Sequence, residues 1–151
     1  MGNYNPIYKA LWTSQKFNQL NTTEKLVYLY LLTNEKTQQS GIYSILIKQI
    51  ACDCELELTE VEQALDKMSE LGMIKYWKDT GLLFIHKFFK YSKGMIKSPK
   101  NLDGTLKRQR ELLKNVEVWE LFDTEFENEL SLINEALMKH QSNKNGDNIN
   151  D

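Results

Sequence analysis

Residues 59–88, TEVEQALDKMSELGMIKYWKDTGLLFIHKF, constrain the fold more than any other stretch. They read as a helix that stops at a glycine and runs straight into a two-stranded hairpin. Thr59 and Glu62 have the S/T-x-x-E spacing of a capping box, which predicts a helix start. Val61, Ala64, Leu65, Met68 and Leu71 recur at spacings of three and four and so share one helical face. Gly72 stands where a left-handed helix stop belongs. Two apolar-aromatic runs follow, Met73–Trp77 and Leu82–Phe88, separated by Lys78-Asp79-Thr80-Gly81, a hairpin-loop signal.

The chain before this stretch supplies matching parts. Pro6 limits any early helix, Ile7, Leu11 and Trp12 suit a short helical turn, and Phe17 and Leu20 suit core anchors. Asn21–Asn34 reads as a helix capped by Asn21 and Glu24, with LVYLYLL apolar on most sides. Gly41–Ile45 reads as a short strand, and Leu46–Asp53 as a helix with Leu46, Ile50 and Ala51 inward. After the hairpin, Lys90–Asp103 reads as a loop and residues 104–116 as a helix. Thr124 and Glu127 repeat the capping-box spacing ahead of Phe126, Leu130, Ile133 and Leu137. The order helix, strand, helix, turn, helix, hairpin is that of a winged helix-turn-helix. The expected fold is therefore mainly α with a small β-hairpin, a winged helix followed by C-terminal helices. The expected division is a winged-helix domain over 1–92, a basic then acidic helical extension over 93–140, and a flexible tail over 141–151.

The formal net charge of −2 hides a strong asymmetry. Residues 1–74 sum to −3, residues 75–114 to +8 and residues 115–151 to −7. The basic middle therefore says more about partners than the total does.

Three stretches together resemble a known family: LWTSQKFNQLNTTEKLVYLYLLTN, GIYSILIKQIACD and VEQALDKMSELGMIKYWKDTGLLFIHKFFKY. They are similar to the N-terminal winged-helix region of phage replisome organisers, the DnaD-type replication-initiation proteins. The resemblance spans about residues 7–122. It implies a winged helix that binds origin DNA during phage or mobile-element replication and recruits a replication protein such as a helicase loader. Longer members carry a further C-terminal domain for oligomerisation and DNA remodelling, which the acidic helix ending near residue 140 does not match.

The candidate DNA contacts follow from charge and position. On the helix after Thr59, the outward face carries Gln63 and Lys67 beside Glu62, Asp66 and Glu70. Carboxylates repel phosphate, so this helix is expected to add fit more than affinity. Lys75, Lys78 and Lys87 sit on or beside the wing, interleaved with aromatics that can stack on bases. Lys90, Lys93, Lys97, Lys100, Lys107, Arg108 and Arg110 continue the basic surface. Lys107, Arg110 and Lys114 share one helical face, which suits a row of phosphates; the same face also suits the acidic stretch 117–135 as a partner.

No enzymatic constellation emerges, since there is no glycine-rich phosphate loop with its lysine and neither His86 nor His140 has a nucleophile at recognisable spacing. Cys52 and Cys54, two residues apart, read as reduced structural thiols, and no cofactor or metal is expected. No apolar run approaches the ~20 residues of a membrane helix, and no export signal is visible, so no membrane partner and a cytoplasmic location are expected. The expected partners are DNA and a replication protein, with a homodimer left open. Two alternatives stand beside this: a winged helix that docks a protein partner, and a winged-helix transcriptional regulator.

Overall fold

The computed structural model describes the backbone of residues 4–149 and the side chains of residues 4–142. The fold is mainly helical with one small antiparallel sheet. After a 3-10 turn over Lys9–Thr13 come α1 (Gln15–Asn18) and α2 (Thr22–Thr33). The expected cap of α2 is present: Glu24 N–H donates to Asn21 Oδ1 at 2.8 Å, and Asn21 N–H to Glu24 Oε1 at 2.8 Å. Each bond satisfies a backbone donor that a helix start would otherwise leave unpaired. Strand β1 (Ile42–Ser44) falls within the expected segment, and α3 (Ile47–Cys54) follows it. Ile50 and Ala51 are buried as expected, but Leu46 is 61% exposed. It is the N-cap of α3, held extended, and so lies outside the helical periodicity that placed it inward. The Tyr30 hydroxyl donates to the Asp53 carboxylate, tying α2 to α3.

Helix α4 (Leu58–Glu70) begins a little before the Thr59–Glu62 box. Glu57 is its N-cap, and the Glu60 carboxylate accepts the Glu57 N–H at 3.2 Å. The acidic stretch repeats the capping spacing two residues upstream, and the earlier copy is the one used. The predicted glycine stop is present. Met73 N–H reaches back to Met68 O at 2.9 Å and Gly72 N–H to Ser69 O at 3.1 Å, with Gly72 at φ +71°. This pair of bonds satisfies carbonyls that the helix end leaves open, and it needs a left-handed residue between them.

Strands β2 (Ile74–Trp77) and β3 (Leu82–Ile85) pair antiparallel, Trp77 opposite Leu82 and Ile74 opposite Ile85. Strand β1 pairs with the other edge of β3, giving the order β1-β3-β2. Strand β3 stops at Ile85, short of Phe88, because Lys87 at φ +65° turns the chain into α5 (Phe88–Ser92).

The C-terminal third departs most from expectation. Residues 90–103 are not a loop: α5, a 3-10 turn over Lys93–Met95 and the first turn of α6 (Pro99–Leu112) occupy most of them. Ser98 is the N-cap and Pro99 the first helical residue, where the missing N–H costs nothing. The helix expected over 104–116 thus starts five residues earlier and stops at Leu112. Helix α7 (Val116–Glu125), capped by Asn115, was not foreseen as a separate element. Thr124 lies inside it and donates its hydroxyl to Glu120 O at 2.9 Å, so it caps nothing. Helix α8 (Glu127–Ile149) runs through most of the stretch read as a tail; Asn150 and Asp151 lie outside the described residues.

Two cores meet at the sheet. The first packs Phe17, Val27, Leu31, Ile50, Leu65 and Met68 against Ile74, Leu83 and Ile85. The second packs Phe89, Leu106, Trp119, Phe122, Phe126 and Ile133 against Ile42, Leu82 and Phe84. All four residues of β3 are therefore buried, alternating between the two cores. A strand covered on both faces reads as a continuous apolar run, and LLFI is one. No helix among the described residues is long and apolar enough to cross a membrane.

Candidate nucleic-acid interface

The structure divides the sequence-nominated cations into paired and unpaired groups. On α4, Gln63 is exposed and Lys67 half-buried beside exposed Glu62, Asp66 and Glu70. Lys78, on the hairpin loop, reaches across to Asp66 at 3.1 Å. The acidic helix face thus draws in one of the hairpin's own lysines. On the same hairpin, Lys75 bonds Glu117 of α7 at 3.0 Å and lies 4.9 Å from the Trp77 ring. The Lys75 bond holds the Glu117 carboxyl below its ordinary value.

On α6 the expected phosphate row is partly closed from within. Lys107 pairs with Asp103 one turn back at 3.0 Å. Arg110 donates to both carboxylate oxygens of Asp123 on α7, one contact at 3.2 Å, and its guanidinium stacks 4.5 Å from the Trp119 ring. A planar guanidinium held by a carboxylate and an aromatic face is fixed in place and serves α6–α7 packing. Arg108 is exposed, and its guanidinium donates to Thr105 Oγ1 at 3.5 Å. The acidic stretch expected to suit the 104–116 face does meet Arg110 within the chain, and it also takes Lys75 of the hairpin.

The remaining cations form the open group. Lys87, Lys90, Lys93, Lys97 and Lys100 follow one another from the end of the hairpin into α6 with no acid between them. None of the five pairs with a carboxylate among the described residues. All are exposed except Lys93, which is half-buried. The turns that space them come from the positive φ of Lys87, the break after Met95 and the Ser98–Pro99 helix start. Lys100, adjacent to that start, completes the run expected from the sequence.

Comparison with protein-family models, curated proteins and solved structures finds no match. The candidate interface therefore rests on residue chemistry alone.

His86 is half-buried, stacked 4.8 Å from Phe84, with Nδ1 3.3 Å from Glu125 Oε1. The same Glu125 oxygen accepts the Lys87 N–H at 3.3 Å. Glu125 thus clamps the β3–α5 turn to the end of α7. Phe84 and Phe88 are core residues as expected, Trp77 is half-buried, and Tyr91 is 45% exposed. Among the described residues no group of three or more His, Cys, Asp or Glu side chains could hold a metal ion. Cys52 is exposed and Cys54 half-buried.

Proposed function

We propose that this chain is a non-catalytic DNA-binding protein of phage or mobile-element replication, built as a winged helix-turn-helix. The reading that α2, β1, α3, α4 and the β2–β3 hairpin form the winged helix is supported by their order and by the β1-β3-β2 sheet. The resemblance to replisome organisers supplies the replication setting. The observation that carries the reading is the acid-free lysine run from Lys87 to Lys100, exposed except for half-buried Lys93 and without ion pairs among the described residues. Such a run binds the sugar-phosphate backbone by releasing condensed counterions, and it reads no sequence. The grip lies beside the wing and past it, while the acidic outer face of α4 sits away from phosphate. Duplex and single-stranded DNA titrated by fluorescence anisotropy at several salt concentrations test this. Folded protein that fails to bind either at low salt rejects it.

A second reading is favoured by a separate observation. Glu62, Asp66 and Glu70 line the outer face of α4, and α7 carboxylates neutralise Lys75 and Arg110. These features suit a winged helix that docks a protein through α4. Reversing Asp66 and Glu70 to lysine separates the readings. The DNA reading expects unchanged or tighter DNA binding, whereas the docking reading expects loss of partner capture with DNA binding absent throughout.

A further inference from the structure

A cavity of about 220 Å³ lies between the N-terminal segment, α2 and α5, away from the faces of α4 and α6. We propose that it docks an acidic peptide of a partner protein, seating one bulky apolar side chain inside while lysines at its edge hold flanking carboxylates. Its walls include Ile7, Leu11, Leu32 and Phe88, and its polar edge includes Lys16 and Lys87. No Asp or Glu lines it, although the chain carries 21 acids. Neither Lys16 nor Lys87 pairs with a carboxylate among the described residues. The Lys16 ammonium is placed at the α4 end of the cavity, 3.4 Å from where a Cβ on Gly72 would stand. Two unneutralised cations beside an apolar hollow complement an anionic, amphipathic segment and repel a basic one.

Size decides what kind of occupant fits. Small-molecule sites run to roughly 300–1,000 Å³, so this hollow suits a single anchor side chain better than a whole ligand. Buried anchors of that kind are the residues that dominate peptide and protein interfaces. The surface around the opening is apolar as well. Tyr8 is 47% exposed, Tyr91 45% and Ile7 42%, and the two tyrosine rings rest 4.9 Å apart. These exposed apolar groups offer further contact to an apolar side chain entering the hollow.

The test uses the full chain and a short fluorescent peptide with a central tryptophan flanked by glutamates, followed by anisotropy. Saturable binding is expected. Replacing the tryptophan by alanine, or making Lys16→Glu, should weaken it by about tenfold or more, equivalent to about 1.4 kcal/mol. Lys87→Glu should do the same. Lys97→Glu, in the lysine run but not in the cavity wall, should change it little. Lys16 and Lys87 are exposed, so circular dichroism and the urea midpoint should match wild type in both variants. Absence of saturable binding overturns the proposal. So does equal loss from Lys97→Glu, which signals diffuse charge attraction. So does indole-3-acetate binding as tightly as the peptide, which signals a small-molecule site. Lys16→Glu should leave duplex DNA affinity unchanged, so failure here and failure of the DNA reading are told apart.

Discussion

Replacing Lys93, Lys97 and Lys100 together by alanine should flatten the salt dependence of DNA binding without unfolding the protein. Each cation that neutralises a phosphate of duplex DNA contributes about −0.9 to the slope of log K against log salt. Five unpaired lysines from Lys87 to Lys100 therefore give a slope of about −4.5, and the triple variant about −1.8. Between 50 and 200 mM salt, wild-type affinity should fall about 500-fold and that of the variant only about 12-fold. None of the three side chains is in an ion pair among the described residues, so folding stability should move by less than about 0.5 kcal/mol. Lys107→Ala is the internal control. Its ammonium already serves Asp103, and it should shift the slope by less than one of the open lysines does. Anisotropy with a labelled duplex reads the slope, and urea unfolding reads the stability. Identical slopes for wild type and the triple variant would refute the assignment of the phosphate contacts to this run.

Phe84→Ala removes a fully buried ring from the second core and should cost roughly 3–5 kcal/mol, read as a lower urea midpoint. Gly72→Ala forces an ordinary residue to φ +71° and should cost about 1–2 kcal/mol, measured the same way. Tyr30→Phe removes the hydroxyl that, chiefly, holds the Asp53 carboxyl below its ordinary value, with Gln49 assisting. In wild type the stability from this contact is fully present above the ordinary carboxylate range and is lost as pH falls through the lowered Asp53 value. In Tyr30→Phe the Asp53 titration seen by carboxyl NMR should move upward, and that part of the acid sensitivity should shrink.

Much of the local structure could be read from residue order. The Asn21–Glu24 cap, the Val61–Met68 face, the Gly72 stop and the four-residue hairpin loop depend on groups within a few positions of each other. Where local signals compete, residue order leaves the choice open. Two overlapping capping spacings stood at the start of α4, and Pro99 could mark either a break or a first helical turn. Residue spacing cannot choose between such alternatives, because each is locally compatible with a helix start and the choice depends on how the helix packs.

The candidate interface divides the same way. That residues 75–114 carry +8 was fixed by composition alone, as was the absence of any acid between Lys87 and Lys100. Which of those cations remain open was decided by tertiary packing. Lys75 meets Glu117, 42 residues away, and Arg110 meets Asp123 and the Trp119 face only because α7 folds back over the sheet. The burial of β3 on both faces, which that return completes, is likewise a property of the assembled layers. Charge is inherited residue by residue, but its availability depends on what lies within a few ångströms, and distance across the fold is not written in spacing along the chain.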